Sequence, residues 1–204
     1  MNVLRNIIFD FGGVLIDWNP VYLYRKVFDR EEEMNYFLEH VCRYDWNVLQ
    51  DAGRPLAEAT LSLQEQYPEY SEEIGMYYGR WDEMLGGIIG ENVALIRPLR
   101  KKYGVYGLTN WSAETIPAAM KRYDFFRDLD GMVVSGEEKT VKPDPLLYRI
   151  LLNRYGIRAE ESLFIDDSRA NIETALQLGF KTVHLTAGMN LREELRNSYQ
   201  IIIE

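Results

Sequence analysis

The chain has one cysteine and two histidines among its 204 residues. Cys42 alone cannot close an internal disulfide, and a lone thiol with no catalytic signature nearby behaves as a small buried hydrophobe. His40 and His184 have no catalytic partner visible in the sequence, so both are read as structural. Long apolar runs are also missing. The stretch from Met1 to Phe9 stops at Asp10, too short for a signal-peptide core, and no later run approaches the roughly 20 apolar residues of a membrane span. Basic charge is scarce, with 23 Lys and Arg against 32 Asp and Glu and a formal charge of −9. Such a balance repels phosphate backbones and anionic lipid surfaces. The expectation is a cytoplasmic protein with no nucleic-acid or membrane partner. There is no internal repeat and no low-complexity segment.

What is present is a rhythm of short apolar runs that each end on polar or glycine residues. Asn6 to Phe9 meets Asp10 and Gly12-Gly13, and Val105 to Leu108 meets Thr109-Asn110. Met132 to Val134 meets Ser135-Gly136, Leu163 to Ile165 meets Asp166-Asp167, and Thr182 to Leu185 meets Thr186-Ala187-Gly188. Helical patterns lie between them, over 92–102, 113–123, 145–155 and 170–178. Strands alternating with helices of this length make right-handed βαβ units. The fold class is α/β: a Rossmann-like parallel sheet with helices on both faces.

One stretch breaks the rhythm. From Asn19 to Gly87 no strand pattern appears, and the sequence reads as an inserted helical bundle, which divides the chain into a core of 1–17 and 88–204 and an insertion of 18–87. The insertion is rich in rings, from Trp18 and Tyr22 through Tyr44 and Trp46 to Tyr77, Tyr78 and Trp81. Most of them are expected to pack helices together, the rest to face a cleft over the sheet. Gly86-Gly87 and Gly90 fall where the insertion rejoins the core and are read as hinges of a lid.

In an open parallel sheet the ligand crevice lies beyond the carboxyl ends of the strands. Asp10, Thr109, Asn110, Ser135, Asp166 and Asp167 all fall there, with Lys142 in the loop after the third core strand. A carboxylate on a glycine-rich turn is able to ligate a hard cation and to act as a nucleophile. Asp166 and Asp167 add negative charge suited to Mg²⁺, and Lys142 keeps carboxylates and a phosphate from repelling one another. Asp45, Trp46, Asp51 and Arg54 are candidates for substrate contact from the insertion, Arg54 being suited to a carboxylate or phosphate.

The ordered segments Ile7-Ile8-Phe9-Asp10-Phe11-Gly12-Gly13-Val14-Leu15, Leu108-Thr109-Asn110, Val141-Lys142-Pro143-Asp144-Pro145 and Phe164 to Asn171 resemble the four motifs of the haloacid dehalogenase-like hydrolase superfamily. The insertion resembles that superfamily's helical cap, and the Gly at position 12 is similar to the alpha-glucose-1-phosphate phosphatase type. The resemblance implies that Asp10 attacks phosphorus to form an aspartyl-phosphate, and that Mg²⁺ is held by Asp10, the carbonyl of Gly12 and Asp167, with Asp166 behind them or joined through water. It further implies that Thr109 and Asn110 bind phosphate oxygens, that Lys142 ties the phosphate to Asp10, and that the substrate is a small phosphate ester, a sugar phosphate by family expectation. One departure stands out: where most phosphatases of the superfamily carry a second Asp as acid and base, this chain has Gly12. Three outcomes stay open: slow turnover, dependence on a leaving group that needs little protonation, or use of another group such as Asp17 or a cap residue. The same departure keeps two other readings open, a 2-haloacid dehalogenase and a binding or regulatory protein with weak turnover.

Overall fold

The computed structural model describes residues 3–203. Met1 and Asn2, the start of the first apolar run, lie outside the described residues. Five strands form one parallel sheet in the order β5-β4-β1-β6-β7. They are β1 (Asn6–Phe9), β4 (Gly104–Thr109), β5 (Gly131–Val134), β6 (Ser162–Asp166) and β7 (Lys181–His184). Two further strands, β2 (Ile16–Trp18) and β3 (Leu85–Ile88), pair antiparallel beside it. The chain builds outward from β1 to β4 and β5, then crosses to the other side for β6 and β7. The direction reverses at β1, and the crevice opens at the carboxyl ends of β4, β1 and β6.

Strand alternation explains the two cores. Ile7, Phe9, Val105, Leu163 and Ile165 pack on one face with the inserted helices, while Ile8, Leu108, Val133 and Phe164 pack on the other against Leu147, Tyr148 and Leu151. Every residue of β1 and β6 is buried, as expected of central parallel strands covered on both faces. The helix Pro145–Tyr155 starts on the Asp144 side chain, which accepts from the Leu146 amide, and stops at Gly156 in the left-handed conformation. The expected helix over 92–102 is split into Gly90–Val93 and Ile96–Arg100. Pro98 has no amide hydrogen to donate to the Ala94 carbonyl, so it sits in the first turn of the second helix and the break falls ahead of it, at Ala94 and Leu95. The pattern at 113–123 contracts to Ile116–Arg122, with Pro117 in its first turn.

The stretch between β2 and β3 is helical, including Glu31–Tyr36, Tyr44–Asp51, Leu56–Gln66 and Ser71–Gly79. Its interior is aromatic: Tyr24 contacts Phe28, Phe37 and Tyr77, and Trp46 contacts Tyr77 and Tyr78. Two expectations change here. Gly86 and Gly87 are strand residues, Gly87 pairing with Asp17 in the ribbon. A Cβ on Gly86 would fall 2.4 Å from an Asp17 carboxylate oxygen, and Gly87 has φ +130. Close packing and a backbone shape that L side chains rarely adopt account for these glycines. The expectation of no strand up to Gly87 gives way to a hydrogen-bonded ribbon, and the 17/18 and 87/88 boundaries fall inside it.

Candidate active site

Asp10 follows β1 directly and is 8% exposed. Its amide donates to the Ile165 carbonyl at 2.9 Å, which fixes it against the end of β6. One carboxylate oxygen, Oδ1, accepts from the Phe11 amide at 2.7 Å and lies 2.9 Å from Lys142 Nζ. Lys142 Nζ also donates to Asp166 Oδ2 at 2.7 Å. The ammonium is therefore shared by two carboxylates at the end of adjacent strands. Asn110 holds the lysine in place with its side chain, which donates to the Lys142 carbonyl at 2.9 Å and accepts from the Lys142 amide at 2.7 Å.

Asp166 is fully buried. Besides Lys142, it accepts from the Ser168 amide at 2.8 Å and from Asn171 Nδ2 at 3.0 and 3.1 Å. Its neighbour Asp167 is exposed, and its backbone carbonyl faces His184 Nε2 at 3.0 Å. Gly13, with φ +70, lies so close to Asp167 that an added Cβ would fall 2.2 Å from Oδ2. The turn after β1 thus admits the Asp167 carboxylate because position 13 has no side chain. Asp10, Asp166 and Asp167 each offer an oxygen within 4.8 Å of the others.

The charges explain the titration. Burial raises Asp10 to about 7 against the opposing pull of Lys142. Burial and then the charge of Asp166 raise Asp167. Burial acts to lower Lys142, but Asp10 and Asp166 overcome it and hold the ammonium above its ordinary value. Three carboxylates face one ammonium, all donors are hard oxygens, and Asp166 is already engaged by its hydrogen bonds. This donor set fits Mg²⁺, which takes one or two carboxylates and otherwise water and phosphate oxygen.

Above this floor is a cavity of about 330 Å³. Asp10, Gly12, Asn110, Lys142 and Asp167 line one side, and Trp18, Tyr44, Asn47, Asp51, Tyr78 and Trp81 line the other. Thr109 ends β4 at 1% exposure and Ser135 is fully buried; neither lines the cavity. The Ser135 hydroxyl donates to the Asp51 carbonyl at 2.6 Å and accepts from the Trp111 amide at 2.9 Å, so it joins the inserted helices to the core. Of the four candidates from the insertion, only Asp51 reaches the cavity. Asp45 pairs with Arg43 on the surface, Trp46 packs on Tyr77 and Tyr78, and Arg54 Nε donates to Gln50 at 2.8 Å. Asp17 accepts from the Tyr22 hydroxyl at 2.7 Å and is likewise outside.

Tyr44, Asn47 and Asp51 occupy positions i, i+3 and i+7 of one helix and therefore one face. Asp51 accepts from Asn47 Nδ2 at 3.0 Å, and no ion pair with it occurs among the described residues. Its electrostatic neighbours in the insertion are Tyr44, Tyr77 and Tyr78, with Asp10, Asp167 and Lys142 across the cavity. Burial raises its carboxyl to about 7, eased by the Ser112 amide. A carboxyl whose pKa is raised on folding binds more protons in the native state, so stability falls as pH rises from its unfolded value near 3.8 through about 7. Asp51→Asn removes that penalty. Its melting temperature is expected to exceed the wild type's at pH 8.5, with the difference shrinking toward pH 5; an equal or lower value at pH 8.5 contradicts the raised carboxyl.

The model of the haloacid dehalogenase-like hydrolases matches residues 4–179, and the chain belongs to that family. It is a hydrolase. It is similar to a phosphorylated carbohydrates phosphatase of Thermotoga maritima, 25% identical over 184 residues that cover 89% of this chain and 84% of the relative. It is also similar to a D-ribitol-5-phosphate phosphatase of Bacteroides thetaiotaomicron, 26% identical, with 95% of this chain and 97% of the relative covered. A family enzyme from Bacteroides thetaiotaomicron, solved with magnesium and inorganic phosphate, superposes with a TM-score of 0.73 at 26% identity, covering 95% of this chain and all of that one.

Proposed function

We propose that the protein is a Mg²⁺-dependent phosphatase of a small phosphomonoester, a sugar phosphate by preference, acting through an aspartyl-phosphate on Asp10. The carrying observation is the floor of the cavity, where Asp10 is oriented through Oδ1 by Phe11 and Lys142. Asp10 attacks phosphorus, the ester oxygen leaves, and water then cleaves the acyl phosphate. Lys142 draws the phosphate toward Asp10, and the backbone of Asn110 at the end of β4 binds its oxygens, while Thr109, which does not line the cavity, supports that strand end from behind. Asp10, Asp167 and the Gly12 carbonyl hold Mg²⁺, with Asp166 behind them. When bound, the ion neutralises phosphate charge and stabilises the transferring group.

The helical segment 18–87 acts as a cap that shields the site from water and selects the leaving group. The names of the relatives support a carbohydrate phosphate. Halide displacement fits less well, because the adjacent carboxylates Asp166 and Asp167 would repel a departing anion. Among the described residues no helix is long and apolar enough to cross a membrane. The test is phosphate release from a panel of sugar phosphates and p-nitrophenyl phosphate, with Mg²⁺ or with a chelator. Release that needs Mg²⁺ and ranks sugar phosphates first supports the reading. No release from any ester by folded protein sinks it and shifts the weight to a binding role or, if 2-haloacids release halide, to a dehalogenase.

A further inference from the structure

Phosphoryl transfer to Asp10 leaves an alkoxide that needs a proton, and position 12 offers none. A Cβ built on Gly12 meets nothing within 4 Å. The floor of the cavity is therefore open at the point where an acidic side chain would stand. Three carboxylates line the cavity among the described residues: Asp10, Asp51 and Asp167. Asp10 is the nucleophile of the proposed reaction, and Asp167 belongs to the cation-binding group. Asp51 is the one without a task, and it comes from the opposite wall.

Its placement is fixed from several directions. The Asp51 carbonyl accepts from Ser135 Oγ at 2.6 Å, which ties the end of its helix to the strand end of β5. Asn47 Nδ2 donates to Oδ2 at 3.0 Å, and Asn47 Oδ1 in turn accepts from the Tyr78 hydroxyl at 2.9 Å. The same hydroxyl accepts from Gln50 Nε2 at 3.1 Å. A carboxyl held by neutral partners, without a cation, is suited to exist in both protonation states near neutrality.

We propose that Asp51 is the general acid and base of this active site, a catalytic residue supplied from the helical segment in place of the carboxylate missing at Gly12. The inference rests on the phosphatase reading. In the first step the Asp10 oxygen bonds to phosphorus, the bond from phosphorus to the ester oxygen breaks, and the Asp51 proton passes to that oxygen to give the free alcohol. In the second step Asp51, now a carboxylate, takes a proton from water as the water oxygen attacks phosphorus. The bond from phosphorus to Asp10 breaks, releasing inorganic phosphate and restoring both side chains.

The test compares leaving groups. Single-turnover cleavage of glucose 6-phosphate, whose alkoxide needs the proton, is expected to fall about 10²- to 10⁴-fold in Asp51→Asn. Nitrophenolate, a far weaker base, needs no acid. With p-nitrophenyl phosphate the same variant is expected to give a burst of nitrophenolate equal to the enzyme, followed by slow turnover, because only the water step still lacks its base. Gly12→Asp added to Asp51→Asn is expected to recover alkyl-phosphate cleavage at least tenfold. Equal slowing of both esters with no burst overturns the proposal, since a merely positional role for Asp51 would act on both alike. If Asp51→Asn does not fold, Gly12→Asp in the wild-type background decides: a gain under tenfold on glucose 6-phosphate shows that an acid already operates, and a gain of a hundredfold or more shows that none does. Absence of phosphate release from wild type with any ester is a different result and overturns the phosphatase reading itself.

Discussion

Asp10→Asn is expected to lower phosphate release by at least about 10⁴-fold while leaving the fold intact. The amide has no lone pair of comparable basicity to attack phosphorus, and it removes one anionic ligand of the cation site, so both covalent and electrostatic contributions are lost. Stability does not follow activity. Asp10 is buried, and burial raises its carboxyl to about 7, so a neutral amide of the same shape relieves desolvation. Lys142 keeps Asp166 as a partner at 2.7 Å. The melting temperature of Asp10→Asn is accordingly expected to equal or exceed that of the wild type. Residual turnover above about 1% of wild type, measured after excluding deamidation by mass spectrometry, would remove Asp10 from the nucleophile's role.

Lys142→Met has the largest expected structural effect. The lysine side chain is fully buried between two carboxylates, at 2.9 Å from Asp10 and 2.7 Å from Asp166. Removing one member of a buried ionic cluster leaves uncompensated charge and typically costs about 3–5 kcal/mol. The sign of the pH dependence follows from the remaining groups. Without the ammonium the Asp10 carboxyl, already raised by burial, rises further, so the native state binds more protons than the unfolded chain. The deficit against wild type is then largest above pH 7 and narrows toward pH 5. Urea unfolding at pH 5 and pH 8, in the presence of a chelator, reads this directly. Asp166→Asn combined with Lys142→Met is expected to regain part of the loss at pH 8, because it removes one of the stranded charges. A Lys142→Met deficit independent of pH would mean that lost packing, and not lost charge, governs the effect.

The floor of the site was legible in the sequence because its carboxylates sit at strand ends, where local pattern fixes position. Asp10 must follow β1 and Asp166 must close β6 wherever the apolar runs stop, and both do. The roof was not legible in the same way. Asp45, Trp46, Asp51 and Arg54 lie close together in sequence, yet helical geometry sends them in different directions, and only Asp51 turns inward. The spacing of Tyr44, Asn47 and Asp51 marks a common face, but which face meets the sheet is set by long-range contacts such as Ser135 with Asp51. Leu85-Gly86-Gly87-Ile88 likewise has little strand propensity of its own. It becomes a strand through pairing with β2, a partner far away in the sequence.

That ribbon carries one more consequence. Ile16 pairs with Ile88, and the Ile89 amide donates to the Leu15 carbonyl at 2.8 Å, so the chain departs and returns through a single doorway. The covalent path runs through the two doorposts alone, although the segment also leans on the core through the Ser135 hydroxyl and the Asp51 carbonyl. Closing a longer or shorter excursion changes the loop entropy slowly, by about 0.6 kcal/mol per doubling of length. The helical segment is in this sense a cassette. Its exchange for another of different shape would leave the phosphate-handling floor intact while replacing both the chamber above it and the Asp51 carboxyl, so that Gly12 makes the core chemically dependent on the particular cassette it carries.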